Sequence, residues 1–134
     1  VIVINKNSNN TIVLTLTENV TLTMPYYLFN FTSDLSGEGI NFLAADLSGA
    51  TGRFNEFLIT ETSGTTNYSS GTIELNPTGQ WTYKVYEQTS SSNLIPENTD
   101  NYPTYLEIGI VRVKGVVDTT YTDTTDNNII IVDE

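Results

Sequence analysis

Alternation of apolar and polar residues, two by two, runs through most of this chain. In TIVLTLT, Ile12, Leu14 and Leu16 fall on one side, with Thr11, Val13, Thr15 and Thr17 on the other. That period is a strand signature, because successive side chains of an extended chain point to opposite faces. VTLTM repeats it with Val20, Leu22 and Met24, and Glu18-Asn19 between the two runs reads as a hairpin tip. Pro25, which lacks a backbone donor, ends that ladder or opens the next strand. YYLFNFT places Tyr27, Phe29 and Phe31 together, opposite Leu28 and Asn30. SDLSGEG breaks the pattern, INFLAAD resumes it, and LSGATG breaks it again. RFNEFLITE sets Phe57 and Ile59 against Phe54, Glu56 and Leu58, and TSGTTNYSS then reads as a polar loop.

The strongest local pattern is GTIELNPTGQWTYKVYEQ. Ile73 and Leu75 alternate with Thr72 and Glu74, and Trp81, Tyr83 and Val85 alternate with Gln80, Thr82 and Lys84. Asn76-Pro77-Thr78-Gly79 suits a tight turn, so a hairpin is expected over Ile73–Tyr86 with Trp81 and Tyr83 toward the core. TSSSNLIPENTDNYP reads as a long surface loop. TYLEIGIVRVKG is apolar on both faces, as a central or interface strand would be. The apolar ends VIVI and IIIV are suited to pairing with a sheet edge, within the chain or between chains. The count is eight to ten short strands with turns every ~8–12 residues, the spacing of an all-β two-sheet sandwich or small barrel. Helix is expected nowhere beyond one turn in AADLSGA. The chain reads as a single domain over 1–134, with residues 1–10 and 116–134 as candidate arms.

Composition narrows the function. The chain carries 5 Lys and Arg against 16 Asp and Glu, a formal charge of −11. Such a surface repels phosphates and anionic membranes, so neither nucleic acid nor membrane is an expected partner. A basic protein surface, divalent cations or further copies of the chain fit better, and plain solubility accounts for the charge equally well. VIVINKNSNN has no basic region ahead of its apolar residues, so no signal peptide is expected.

Cysteine and histidine are both absent. Disulfides, thiolate ligands and the commonest general base are therefore excluded. No nucleotide-binding or nucleophile-elbow motif occurs. Glu56, Glu61, Glu74, Glu87 and Glu107 lie on expected strands, where a carboxylate pair would be needed for glycoside chemistry. Solvated strand glutamates are the plainer explanation, and for Glu87 an ion pair with Lys84, Arg112 or Lys114. Asp34, Ser36 and Glu38 have a calcium-loop-like spacing but too few ligands. Asp118, Asp123, Asp126, Asp133 and Glu134 are expected to be a solvated tail that attracts cations loosely. Tyr26, Tyr68, Tyr102, Tyr105 and Tyr121 sit near loops or strand ends, where a ring serves a protein interface or a sugar platform. The sequons at Asn9, Asn19, Asn30 and Asn67 are read as chance in an Asn- and Thr-rich chain. No catalytic, cofactor or metal residue is therefore assigned.

The runs YYLFNFTSDLSGE, RFNEFLITE, GTIELNPTGQWTYKVYEQTSSSNL and LEIGIVRVKG, spanning about residues 26–115, resemble a family of small virion proteins of tailed bacteriophages, crAss-like and related phages of Bacteroidetes hosts. The run from Gly79 to Ser90, GxWxYxVYEQxS, is its most specific part. The resemblance implies an immunoglobulin-like β-sandwich on the capsid surface, an auxiliary or decoration protein made in the host cytoplasm and carried on the virion. Its partner would be the major capsid protein or another virion protein, with homo-oligomers in view; a carbohydrate or host-surface binding module of a tail or head fibre is the alternative. The resemblance carries over no catalytic residues. Arg53, Asn55, Phe57, Glu61, Trp81, Tyr83, Tyr86, Glu87, Gln88 and Asn93 are its signature positions, as structural residues or as an attachment surface.

Overall fold

The alternating runs become strands in the computed structural model, which describes residues 1–48 and 54–115. In chain order they are β1 (Ile2–Asn5), β2 (Ser8–Leu14), β3 (Tyr26–Ser33), β4 (Gly39–Ala44), β5 (Asn55–Glu61), β6 (Thr72–Ile73), β7 (Gly79–Gln88) and β8 (Glu107–Lys114). Two short 3-10 turns, Thr17–Asn19 and Pro96–Asn98, are the only helical turns among the described residues. Residues 45–48 of the AADLSGA stretch hold no helix, and residues 49 and 50 lie outside the described residues.

The strands form two sheets, one of five in the order β1-β8-β7-β3-β4 and one of three in the order β2-β5-β6. Most neighbours are antiparallel, whereas β1 runs parallel to β8 and β6 parallel to β5. Alternate residues from both sheets meet in one core: Ile2, Ile4, Ile12, Leu14, Phe29, Phe31, Phe57, Ile59, Trp81, Tyr83, Val111 and Val113 among them. Aromatic rings join the layers. Phe42 of β4 stacks on Phe29 with centroids 5.2 Å apart, and Phe57 of the smaller sheet meets Phe29 edge-on at 5.0 Å. Such pairs add about 0.5–1.5 kcal/mol each beyond the area they bury.

Both expected hairpins are corrected. Thr11–Leu14 pairs with β5, not with VTLTM, and residues 20–25 form no strand. Likewise β6 pairs with β5 in the smaller sheet while β7 pairs with β3 and β8 in the larger. Asn76–Gly79 is therefore a crossing between sheets, with a cis peptide before Pro77. The faces were read correctly, since Ile73, Leu75, Trp81, Tyr83 and Val85 are all buried. Alternation reports which side chains enter the core. A hairpin and a step across the sandwich bury the same alternate residues, so the pattern does not choose between them. The Trp81 indole N–H closes the crossing by donating to the Pro77 carbonyl at 2.9 Å.

The N-terminal apolar run pairs within the chain: β1 lies beside β8, with Ile2 opposite Val111 and Ile4 opposite Val113. Residues 116–134 lie outside the described residues. The TYLEIGIVRVKG run is interior to its sheet, with β8 between β1 and β7.

One cross-strand pair fixes the approach of β7 and β8. Tyr83 stands opposite Gly109, and a Cβ built on Gly109 would lie 2.6 Å from the Tyr83 ring. The missing side chain lets the ring lie flat on β8 and bring its hydroxyl to Glu107. Gly109→Ala is expected to destabilise the fold by about 1–3 kcal/mol through overpacking, read as a fall of several degrees in melting temperature. Unchanged stability would mean that the ring has room to move.

Candidate functional site

A chain that changes sheets leaves its hydrogen-bond ladder, and its N–H groups need other acceptors. Four connections here change sheets: β1 to β2, β2 to β3, β4 to β5 and β6 to β7. Each is held by a carboxylate that the core partly or wholly encloses.

Glu61, at the end of β5, is 1% exposed. It accepts from the Asn7 N–H at 2.8 Å, the Leu75 N–H at 2.8 Å and the Lys6 ammonium at 3.1 Å. Lys6 donates in addition to the Leu75 carbonyl at 2.7 Å and the Asn76 side chain at 2.8 Å. One ion pair thus ties the β1–β2 turn to the β6–β7 crossing. Asn7 makes that turn with φ 57°.

Glu87, on β7, grips the β2–β3 connection. It accepts from the Thr21 N–H at 2.9 Å, the Thr21 hydroxyl at 2.7 Å, the Leu22 N–H at 3.1 Å and the Asn101 amide at 2.9 Å. The expected ion pair of Glu87 with Lys84, Arg112 or Lys114 is not formed; among the described residues the cation-paired glutamate is Glu61. Asp46 holds the β4–β5 connection, accepting from the N–H groups of Ser48 and Glu56, both at 3.0 Å, and from the Asn55 amide at 2.8 Å. Asn55 in turn accepts from the Leu16 N–H at 2.7 Å. Gln88 and Asn93 organise the long loop, with the Asn93 amide donating to Gln88 at 2.8 Å and the Gln88 amide to the Asn93 carbonyl at 3.0 Å.

These partners set the ionisation. Burial pushes the Glu61 carboxyl up, but the Leu75 and Asn7 N–H groups and Lys6 outweigh it and hold its pKa below the ordinary value. Burial likewise opposes ionisation at Glu87 and Asp46, and their hydroxyl, amide and N–H donors again leave both pKa values lowered. Tyr83 goes the other way: burial, then its hydrogen bond to Glu107, push the phenol well above its ordinary value.

The signature residues Asn55, Phe57, Glu61, Trp81, Tyr83, Tyr86, Glu87 and Gln88 are all buried, and Asn93 is half-buried in its network. They act in the fold rather than on its surface; Arg53 lies outside the described residues. Glu56 is half-buried, and Glu74 falls beyond the end of β6, accepting from the Asn76 amide at 3.1 Å. Asp34 accepts from Gln80 and Thr82, both at 2.8 Å, and Ser36 from the Glu38 N–H at 3.2 Å. No cluster of three potential metal-ligating residues occurs among the described residues. Lys6 and Asp46 were missed in the sequence. Isolated polar residues at strand ends carry no periodic signal there.

The free surface is different in kind. On the outer face of the five-stranded sheet, Leu28, Leu43 and Tyr86 form a second apolar cluster, and Leu94 of the 89–106 loop packs over it. Tyr102 and Tyr105 flank Tyr86 with centroids 6.0 and 6.5 Å away, and the Lys84 ammonium lies 5.3 Å from the Tyr105 ring centre. Among the described residues, nothing comparable covers the other half of this face. Val3 stands opposite Arg112, Ile108 opposite Lys84 and Ile110 opposite Thr82. Val3, Ile108 and Ile110 are 42%, 48% and 38% exposed, and Arg112 and Lys114 are exposed beside them. Three of the 5 basic residues in the chain, Lys84, Arg112 and Lys114, therefore share one apolar sheet face. Tyr26 is exposed, Tyr68 packs on the core, and Tyr121 and the acidic residues Asp118 to Glu134 lie outside the described residues.

Lowered carboxylate pKa values give stability that is complete above the unfolded-state values, about 3.9 for Asp and 4.3 for Glu. That stability is lost as the pH falls through the lower folded-state values. Melting temperature is expected to hold from neutrality to about pH 5 and to drop steeply below about pH 4. Glu87→Gln should melt lower at pH 7 and lose less on acidification; equal acid slopes in both proteins would remove Glu87 from the account. Glu61→Gln, which strands Lys6, is expected to cost about 3–5 kcal/mol.

Set against models of known families, curated proteins and solved structures, the chain matches none of them.

Proposed function

We propose that this chain is a non-enzymatic structural module of a virion, an auxiliary or decoration protein that binds the capsid surface of a tailed bacteriophage. The observation that carries the reading is the apolar and basic half of the five-stranded sheet, with Val3, Ile108, Ile110, Arg112 and Lys114 exposed side by side among the described residues. Apolar side chains interspersed with Arg are what protein interfaces select. The buried carboxylates support a role without catalysis. Glu61 and Glu87 are each filled by three or more donors from their own chain, which leaves neither free to move a substrate's proton.

The fold is read further as immunoglobulin-like. The order β3-β7-β8 corresponds to C-F-G of that sandwich and the antiparallel pair β2-β5 to B-E, whereas β6 follows β5 in the chain and so is no D strand. The short β6 departs from the pattern by running parallel to β5. In this reading the partner is the major capsid protein, another virion protein or further copies of the chain. The protein is made in the host cytoplasm and works on the virion.

A second reading, binding of carbohydrate at a fibre, rests on Tyr102 and Tyr105, 43% and 40% exposed on either side of Tyr86. Exposed rings of this kind stack on sugars as readily as on protein.

Quantitative mass spectrometry of purified virions tests the main reading. The chain is expected in fixed proportion to the major capsid protein, and absence from the particle would overturn it. The Ile108→Asp/Ile110→Asp variant is expected to keep its melting temperature and to lose at least about tenfold in particle occupancy. Retained occupancy would move the contact to another face, and glycan-array binding lost in Tyr102→Ala would favour the second reading.

A further inference from the structure

A strand at the margin of a sheet leaves one row of N–H and C=O groups without ladder partners. Among the described residues the margins are β1 and β4 in the larger sheet and β2 and β6 in the smaller. The 67–72 segment covers two of them. The Leu43 N–H of β4 donates to the Tyr68 carbonyl at 2.8 Å, and Asn67 and Thr72 exchange N–H bonds at 2.8 and 3.1 Å beside β6. β1 has only 4 residues, and the Asn10 side chain closes its end by bonding to both the N–H and the carbonyl of Asn5. β2 is different: it has 7 residues, and β5 is its one ladder neighbour among the described residues. The Thr60 N–H of β5 donates to Gly71, toward β6, so Asn55, Phe57, Ile59 and Glu61 turn their backbone groups to β2. Ser8, Asn10, Ile12 and Leu14 face them, and the N–H and C=O groups of Asn9, Thr11 and Val13 point outward. We infer that two copies of the chain join along this edge, β2 antiparallel to β2 about a two-fold axis, with Thr11 of one copy opposite Thr11 of the other and Asn9 opposite Val13.

Three observations favour a second copy as the occupant. The first is symmetry. An antiparallel ladder maps onto itself under a two-fold rotation, so an edge strand is complementary to its own copy. With Thr11 at the centre, Asn9, Thr11 and Val13 of each copy all become hydrogen-bonded pairs. The second is charge. Two chains of charge −11 repel each other, and residues 7–17, NSNNTIVLTLT, form a neutral seam without a charged side chain. The seam also lacks the Lys, Pro or bulge by which natural edges resist pairing, since the β2–β5 register is continuous. The third is access. Asn9, Thr11 and Val13 are exposed, Val13 by 58%, and a groove of about 520 Å³ between β1 and β2 has Thr11, Val13 and Thr15 on its wall. The axis of such a dimer stands perpendicular to the joined smaller sheets, so both five-stranded sheets lie on one side of it. Their apolar and basic faces then point the same way. The dimer would meet a capsid with two contacts, and bivalence raises occupancy without any new contact. Only this bivalence rests on the reading of that face as the capsid contact.

Sedimentation equilibrium of the full chain tests this. A reversible monomer–dimer equilibrium is expected, and it tightens as salt screens the charge of the two copies. Thr11→Lys sets like charges directly opposite each other, and Thr11→Pro removes an N–H that only the second copy uses. Each is expected to weaken the dimer at least about tenfold. Thr11 is exposed, so Thr11→Lys is expected to keep the wild-type melting temperature at low concentration, and it carries the test should Thr11→Pro fail to fold. Thr11→Glu alone is expected to be monomeric as well, and an equal mixture of Thr11→Lys and Thr11→Glu to recover the dimer. Amide exchange read by nuclear magnetic resonance is expected to slow at Asn9, Thr11 and Val13 as protein concentration rises. A chain that stays monomeric up to about 1 mM would overturn the inference. So would a dimer indifferent to these substitutions, a mixture that does not recover, or slow exchange of the three amides in the monomer, which would place the pairing within one chain. Virion occupancy is scored separately: a dimer absent from the particle sinks only the proposed function, and a monomer that occupies it sinks only the β2 pairing.

Discussion

Every change of sheet in this sandwich removes backbone N–H groups from a ladder, and buried or half-buried carboxylates take them up. Glu61 receives Asn7 and Leu75, Glu87 receives Thr21 and Leu22, and Asp46 receives Ser48 and Glu56. A carboxylate suits the task because it accepts several hydrogen bonds at once and those bonds are charge-assisted. Each acid must first overcome its own desolvation, and the lowered pKa values express that its donors do so. With no cysteine available, the sandwich holds its crossings by hydrogen-bonded charge. The Glu61–Lys6 pair stands first among these ties, because it joins two crossings at one point.

That arrangement gives the acidic composition two separate meanings. A few carboxylates are structural and enclosed, while the excess of acids over bases leaves the chain with a formal charge of −11. Against this background the cations matter through position. Lys6 is drawn inward to Glu61, whereas Lys84, Arg112 and Lys114 share the outer face of the five-stranded sheet with exposed isoleucines. The 89–106 loop, organised by Gln88 and Asn93, covers one half of that face, and on the other half Val3, Ile108 and Ile110 are exposed.

Much of the fold was legible because the period of two is a local property. It gave Phe29, Phe31, Phe57, Trp81 and Tyr83 as core residues, and each is buried. It failed at both hairpins for a reason that lies in the pattern itself. Ile73 faces the core from one sheet, with Leu75 buried just beyond it, and Trp81 and Tyr83 face it from the other, yet along the chain they look like two arms of a single turn. The candidate surface was half legible. The two apolar faces of TYLEIGIVRVKG marked β8 as an interior or interface strand, but only the register sets Ile108 beside Lys84 and Val3 beside Arg112.

By itself the sequence determined that the chain is all-β, which side chains enter its core, and that chemistry depending on His or Cys is excluded, since these follow from local periodicity and residue inventory. Tertiary structure alone decided which strands are neighbours, which glutamate meets a cation, and where exposed basic and apolar residues converge. Those outcomes depend on contacts between residues far apart in the chain. Glu61 and Lys6 are 55 positions apart, and no local pattern encodes their meeting.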